Sequence, residues 1–272
     1  MIRMPAVAGQ FYPYSPDVLL GEIAEFMGEP KQRRQVSGVM VPHAGYMYSG
    51  GVAGLVYSRI EPADSYVILG PNHTGLGLRF SIVRGGLWRT PLGEVSVDSI
   101  IADEILRECP IVEEDILAHQ REHSIEVQLP FLQYLGDDFM FVPICIGHLP
   151  LDDETSADLK SIGRAVASAI RKFGGKTVVV ASTDLTHYES QESAKIKDAD
   201  VLEAVLKLDP EKLLKVVSEK DISMCGVLPT AIMLYACKEL GASKAELAGY
   251  QTSGDVTGDL SQVVGYGGVL VF

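Results

Sequence analysis

The sequence predicts an α/β fold in which helices cover both faces of a central sheet. Short apolar runs rich in β-branched residues alternate along the chain with longer segments of helical periodicity. Several of the short runs are apolar at every position, which is typical of strands buried on both faces. The 272 residues contain no internal repeat, low-complexity stretch or linker, so we expect a single domain spanning residues 1–272.

The elements follow from these patterns in chain order. Strands are predicted at residues 36–41, 66–69, 139–146, 177–181 and 263–272. Helices are predicted at residues 18–27, 51–60, 99–107, 194–208 and 228–240. A further helix ends at Phe173, because apolar residues recur on one helical face from Leu159 onwards and Gly174-Gly175 then stops it.

Composition excludes several classes of protein. A formal net charge of −13 argues against a nucleic-acid-binding surface, which needs clustered Lys and Arg. The four cysteines show no C-x-x-C pair and no disulfide framework. Neither a signal peptide nor an apolar run long enough for a membrane span is present. We therefore expect a cytoplasmic protein with no membrane partner.

Four of the six histidines stand where predicted strands end or a helix begins. They are His43 in V-P-H-A-G-Y, His73 in G-P-N-H, His123 in E-H-S-I-E and His187 in T-D-L-T-H-Y. Ligands of open α/β sheets bind outside the carboxyl ends of the strands, so the fold could gather these imidazoles. Imidazole is the commonest metal ligand and titrates near neutral pH. The distribution indicates a metal site or an acid–base site.

Asp184 precedes His187 by three residues, after the strand predicted at 177–181. A carboxylate at this spacing could orient the imidazole for general acid–base catalysis. The alternative is that Ser182, Thr183 and Asp184 cap a following helix. That alternative accounts for Asp184 but leaves His187 without a role.

The segment from His119 to His123 matches H-x-x-E-H, in which two histidines of a helix hold zinc. The match is weak, because Ser124 looks like the N-cap of a helix running to Gly136. The two histidines would then lie on either side of the helix start. His123 and Glu126 are expected to support the site rather than to form a zinc-peptidase centre.

Cys225 lies in S-M-C-G, in a loop before the helix predicted at 228–240. A free cysteine is most often a small buried apolar residue. A cysteine near a helix N-terminus, however, has its thiolate stabilised, and we expect Cys225 to be solvent-accessible and reactive. The other cysteines (Cys109, Cys145 and Cys237) are expected to pack in the core.

Taken together, these segments resemble the Memo family (mediator of cell motility), whose microbial members are called AmmeMemoRadiSam system protein B. The resemblance spans the whole chain. It rests on R-M-P-A-V-A-G-Q-F-Y-P at 3–13, V-P-H-A-G-Y at 41–46, G-P-N-H at 70–73, T-P-L-G at 90–93, H-S-I-E at 123–126, S-T-D-L-T-H-Y at 182–188, C-G at 225–226 and S-G-D-V-T-G-D at 253–259.

The resemblance implies a single three-layer αβα domain with a mixed sheet, similar to the class III extradiol dioxygenases. Those non-haem iron enzymes hold iron with two histidines and one glutamate. By resemblance, His43 and His73 take the histidine positions and Cys225 replaces the glutamate. Since thiolate is softer than carboxylate, the metal could be Fe, Cu or Zn. His187, with Asp184, falls at the position of the catalytic acid–base histidine, and His123 is expected in the same cleft.

The function implied is that of a redox-capable, metal-dependent enzyme acting on an unidentified small molecule. A metal-dependent hydrolase is one alternative. A non-catalytic module that binds a short peptide or a protein at the same pocket is another. The resemblance also implies a functional link to a radical-SAM protein, and it leaves an oligomer open.

Overall fold

The computed structural model describes residues 1–29, 31–136 and 138–272, and these form a mixed sheet of twelve strands. The strands are β1 (Ile2–Arg3), β2 (Gly38–Val41), β3 (Ser65–Pro71), β4 (Phe80–Ile82), β5 (Leu87–Thr90), β6 (Gly93–Val97), β7 (Glu113–Glu114), β8 (Met140–Ile146), β9 (Thr177–Ser182), β10 (His187–Glu189), β11 (Ala245–Thr252) and β12 (Val263–Val271). The main path runs β1-β5-β6-β8-β3-β9-β2-β12-β10, with β11 on β12 and β4 joining β7 to β8.

The α-helices of the described residues alternate with these strands. They are α1 (Pro16–Met27), α2 (Tyr46–Tyr57), α3 (Ser99–Glu108), α4 (Leu129–Leu135), α5 (Asp153–Phe173), α6 (Gln191–Leu206), α7 (Pro210–Glu219), α8 (Val227–Glu239) and α9 (Gly254–Thr257). Single 3-10 turns occupy Leu117–His119 and Glu126–Gln128. No helix in the described part of the chain is long and apolar enough to cross a membrane.

Alternating side chains of the central strands pack into two separate apolar layers. In β3, Val67 and Leu69 face the core that includes α3 and α5–α8, whereas Tyr66 and Ile68 face the core that includes α1, α2 and α4. This period of two places helices on both faces of the sheet. The α/β fold with a mixed sheet, expected from the alternation and from the resemblance to extradiol dioxygenases, is confirmed.

The central strands β8, β3, β9 and β2 are mutually parallel, so their carboxyl ends lie at one edge of the sheet. Val41 pairs with Ser182, and Pro71 pairs with Ile146. The segments that follow these residues carry His43, His73 and Asp184. The sheet register therefore brings together side chains that are far apart in sequence.

The predicted strands are all present, with small shifts such as the extension of 66–69 to Ser65–Pro71. Two local predictions were wrong, and one alternative is excluded. The helix predicted at 51–60 begins at Tyr46, and its Gly50 and Gly54 lie against Phe26 of α1. The helix predicted after His123 begins as a 3-10 turn and becomes α-helical only at Leu129. The residues Ser182–Thr183–Asp184 cap no helix, since β10 comes first and Ser190 caps α6.

Because α1 and α2 are in close contact, we expect a larger residue at this contact to destabilise the fold. Gly54 of α2 faces the backbone of Phe26, and an added Cβ would collide with the Phe26 carbonyl group. Gly54→Ala should lower the free energy of unfolding by about 1–3 kcal/mol, measured as a lower midpoint in urea. Gly21→Ala is the matched control, because nothing lies near a Cβ there; it should stabilise α1 by about 0.5–1 kcal/mol. Equal effects of the two substitutions would contradict this packing.

Candidate metal site

Three imidazoles converge at the carboxyl edge of the sheet. His43, His73 and His123 each offer one ring nitrogen, and these atoms lie within 4.8 Å of one another. The rings of His73 and His123 stack with centroids 4.6 Å apart, and the His43 ring stands edge-on to both. His43 is buried, His123 is half-buried and His73 is exposed. Three imidazoles in this arrangement form a donor set suited to a transition metal.

Hydrogen bonds around Ser182 fix the tautomer of His43. The Ser182 hydroxyl donates to the carbonyl oxygen of Ser124 over 2.6 Å and accepts from Gln128 Nε2 over 2.9 Å. Its single hydrogen is therefore used, and His43 Nδ1, 3.0 Å away, must donate to it. His43 Nε2 then keeps a free lone pair, as a metal ligand requires.

The carboxylate of Glu122 holds the other two histidines. Glu122 Oε1 accepts from His73 Nδ1 over 2.9 Å and from the backbone amide of His123 over 2.8 Å. Its second oxygen accepts from the backbone amide of His73 over 2.6 Å. Protonation of His73 on Nδ1 leaves Nε2 free, which is the carboxylate–histidine arrangement of many metal sites.

The environment lowers the pKa of two of these imidazoles, those of His43 and His123. Burial, together with the neighbouring histidines, holds the pKa of His43 well below its usual value. Burial also lowers the pKa of His123 to about 4, against the opposing effect of Glu122. Burial alone would raise the pKa of Glu122, but the bond from His73 and the nearby imidazoles lower it to about 2. Neutral imidazoles beside an ionised carboxylate are ready to bind a cation.

Cys225 adjoins the three imidazoles but is not one of the mutually close group. Its Sγ lies 3.3 Å from His43 Nε2, and it accepts a 3.3 Å hydrogen bond from the Asp184 amide. Burial, and then the Asp184 carboxylate, raise the pKa of the thiol. The expected thiolate is therefore disfavoured, although Cys225 is only half-buried and lines the cavity described below. The helix N-terminus at Val227 does not outweigh desolvation, and a thiol S–H donates to His43 Nε2 instead.

Asp184 serves His43 rather than His187. Its Oδ1 accepts from the backbone amide of His43 over 2.8 Å, and its Oδ2 lies 4.0 Å from His43 Nε2. Burial raises the pKa of this carboxyl to about 6. The interpretation of Asp184 as the partner of the His187 imidazole is not supported, because Nδ1 of His187 has no hydrogen-bond partner among the described residues.

His187 lies at the wall of a cavity of about 850 Å³, which His73 and Cys225 also line. Its backbone amide donates to the Ser223 hydroxyl over 2.8 Å, which anchors the start of β10 beside the α7–α8 connection. His187 thus lines the same cavity as His73 and Cys225, and its buried Nδ1 has no hydrogen-bond partner among the described residues.

The carboxylate of Glu126, expected beside an imidazole, binds the N-terminal segment instead. It pairs with Arg3 and accepts from the Tyr12 hydroxyl over 2.7 Å and from the Ala6 amide over 2.8 Å. His119 is also separate from the three imidazoles, since its Nε2 lies 3.2 Å from the carbonyl oxygen of Ser81. The H-x-x-E-H segment is thus not a zinc helix, in agreement with the rejection of that motif.

Sequence reasoning missed Glu122, Ser182 and Gln128 as site residues. Glu122 was visible within H-x-x-E-H, where it was considered only as part of a zinc-peptidase motif. Ser182 was considered only within the alternative of a helix cap. Gln128 gave no local signal, because its role depends on long-range contacts with Tyr57, Pro42 and Ser182.

The sequence of this chain matches a known protein family over nearly its whole length. The family model described as Memo-like protein matches residues 3–270. A MEMO1 family protein of Methanopyrus kandleri is 44% identical over 287 residues, covering 99% of both chains. A MEMO1 family protein of Methanosarcina acetivorans is 46% identical over 272 residues, again covering 99% of both.

A solved structure supports the fold alone. The crystal structure of an uncharacterized protein from Escherichia coli K12 superposes with a TM-score of 0.55 at 14% sequence identity. The similarity covers 85% of this chain and 99% of that chain. The shared architecture therefore includes nearly the whole of the smaller molecule.

The hydrogen bond from His43 to Ser182 can be tested directly. Ser182→Ala removes the acceptor of His43 Nδ1–H, so the tautomer protonated on Nε2 should gain population. Nitrogen-15 NMR of labelled histidine should report this shift, and zinc affinity should fall about 10–100-fold. Ser49→Ala, at a buried serine whose hydroxyl donates to the Ala44 carbonyl oxygen, is the control and should leave the His43 signals unchanged. Unaltered His43 signals in Ser182→Ala would refute the assignment.

The two buried glutamates of this segment should respond differently to neutralisation. Glu122→Gln should lower zinc affinity about 10–100-fold with a modest loss of stability, because it removes the acceptor of His73 Nδ1. Glu126→Gln should chiefly lower the free energy of unfolding, by about 3–5 kcal/mol, since it leaves Arg3 unpaired. Zinc titration and urea denaturation of both variants would measure this contrast. A larger loss of zinc affinity in Glu126→Gln would contradict the division of roles.

Proposed function

This chain belongs to the Memo family, and we propose that it is a metal-dependent, redox-capable enzyme acting on a small molecule. The observation that carries the proposal is the convergence of His43, His73 and His123 beside a cavity large enough for a ligand. A volume of about 850 Å³ falls within the range of sites that enclose small organic molecules.

The donor set fits a transition metal. His43 and His73 each present an unprotonated Nε2, because Ser182 and Glu122 hold the opposite nitrogens. Imidazoles suit iron, copper and zinc, and these metals are the candidates. When bound, the metal would act as a Lewis acid, and iron or copper could also exchange electrons.

The residues around the donor set perform separate tasks. His187 is the proposed proton-exchanging group, because the residue lines the cavity and no described residue bonds its Nδ1. Cys225 lies between His43 and the cavity and limits access to the buried imidazole. Asp184 holds the backbone at His43 and adds a carboxyl with raised pKa near the site.

The third ligand distinguishes two versions of this proposal. The geometry favours His123, whereas the family resemblance assigns Cys225. An ion held by His43 and Cys225 would require the thiol to ionise, against the effect of its burial. We propose the three-histidine set, with Cys225 as a neutral neighbour. A non-catalytic, peptide-binding role for the same cavity and a metal-dependent hydrolase are the alternatives that experiment must separate.

Metal content and oxygen chemistry test the proposed function. Protein purified without oxygen should contain close to one equivalent of iron, copper or zinc per chain by elemental analysis. Oxygen uptake with a panel of catechols should depend on that metal. His187→Asn should keep the metal but reduce turnover about 100-fold or more, because the proton-exchanging group is lost. Hydrolysis of esters without oxygen would favour the hydrolase, and metal-free protein that binds peptides would favour the binding module.

Paired variants test the third ligand. His123→Ala should lower metal affinity at least about 100-fold, whereas Cys225→Ser should change it by less than about fivefold, because a neutral thiol contributes little as a ligand. Cobalt(II) titration reports both affinity and ligand type, since thiolate ligation adds an intense charge-transfer band. A strong band in the parent protein, together with loss of affinity in Cys225→Ser, would instead support the histidine–histidine–cysteine set.

A further inference from the structure

The composition of the cavity points to the class of its ligand. We infer that the molecule bound there has an apolar body and carries no phosphate, carboxylate or sulfonate group along that body. This inference rests on the proposed function, because it describes the substrate of the same site. Its basis is the contrast between the two ends of the cavity.

One side of the cavity is a continuous apolar wall. Val217, Ile222, Met224 and Leu228 are buried members of the core between the sheet and α5–α8. Leu149 and Leu151 are partly buried, pack against that core and complete the wall. A ligand lying on this wall would gain about 25 cal/mol for each Å² of apolar surface removed from water. The position of this wall is fixed by the packing of the core, because most of its side chains belong to that core.

No Lys or Arg is among the described residues that line the cavity. Besides the Cys225 thiol, their ionisable groups are the carboxylate of the exposed Asp221 and the imidazoles of His73, His148 and His187. Sites for phosphates and carboxylates normally use Arg or Lys, and an anionic group here would find neither. The net charge of −13 adds a repulsive field for anions approaching the molecule.

Besides the proposed metal, the N-terminus of α8 could attract an anion, but its donors are few. The Gly226 amide donates to the Thr183 hydroxyl over 3.0 Å. Pro229 has no N–H. At most the amides of Val227 and Leu228 remain of the four that begin a helix. Two amides without a cation form a weak anion site compared with the apolar wall.

Most polar side chains at the other end are already bonded within the protein. The Asn72 carbonyl accepts from Thr74 and Gly75, and the Asn72 amide donates to the Leu76 carbonyl oxygen. The Ser223 hydroxyl is paired with the backbone of His187. Since Glu122 and the proposed metal occupy both nitrogens of His73, the free hydrogen-bonding capacity comes from imidazoles such as those of His148 and His187, and it suits a neutral hydroxyl, carbonyl or amine. The ligand is an apolar molecule with such a group at its metal-facing end.

A matched pair of fluorescent probes tests the inference. Phenylnaphthylamine is neutral and apolar, and anilinonaphthalene sulfonate is the same skeleton with one sulfonate. Fluorescence titration should show saturable binding of the neutral probe with one site per chain. The sulfonate should bind at least about tenfold more weakly, because its charge would be desolvated without a partner. Equal or tighter binding of the sulfonate, or no saturable binding of the neutral probe, would overturn the inference.

Variants locate the probe and reverse its charge preference. Leu149→Arg places a cation on the partly buried wall and should weaken the neutral probe while strengthening the sulfonate. Leu151→Arg repeats this test from a second position should the first variant be unstable. Leu247→Arg is the control, since Leu247 is an exposed residue of β11 outside the cavity, and it should match the parent. If neither cavity variant changes the preference, the probe binds elsewhere and the inference fails.

These titrations are carried out on the protein as purified and again after treatment with a chelator. Probe binding needs neither bound metal nor turnover, so its outcome is independent of the metal and oxygen tests. A neutral-selective cavity in a chain that never binds metal would reject the proposed enzyme and retain the ligand class. Preference for the sulfonate in a metal-loaded, active protein would reject the ligand class alone.

Discussion

The arrangement of the site depends on the hydrogen bonds made by the Ser182 hydroxyl. It lies at the end of β9 and connects His43, after β2, with the backbone of Ser124 and with Gln128. Ser124 in turn donates to the carbonyl oxygen of Pro71, at the end of β3. Three parallel strands are thus joined at their carboxyl ends by one buried polar network. In a low-dielectric interior such a network is stable only if all its groups are satisfied, which leaves the His43 ring with a single orientation.

Two carboxylates of one segment stabilise different parts of this sheet edge. Glu122 faces the imidazoles, and Glu126 faces the N-terminal segment, where Arg3 and the Ala6 amide bind it. The 3-10 turn and the bend before it allow residues so close in sequence to point in different directions. The N-terminal segment is therefore a structural support for His123, whose ring contacts Phe11 at 4.6 Å between centroids.

The sequence was most informative where periodicity determines structure. The central strands and most long helices could be predicted because each is a run of apolar residues with a definite period. Short strands such as β4 and β7 have no such run. They form by pairing with other strands, β4 with both β7 and β8, and β7 with β4. His43 and His73 could be predicted as neighbours from their positions after strands. Glu122 and Gln128 could not, because their roles arise from contacts between distant segments.

Cys225 and a metal ion would compete for the same lone pair. His43 Nε2 has a single lone pair, which the Cys225 thiol and a metal ion cannot both use. If an ion took it, the thiol hydrogen would turn towards the Asp184 carbonyl oxygen, 3.6 Å from Sγ, or leave as a proton. Burial favours the first outcome, whereas the positive charge of a nearby ion favours the second by lowering the pKa of the thiol. The balance between desolvation and that charge decides whether Cys225 remains a neutral neighbour or becomes a ligand.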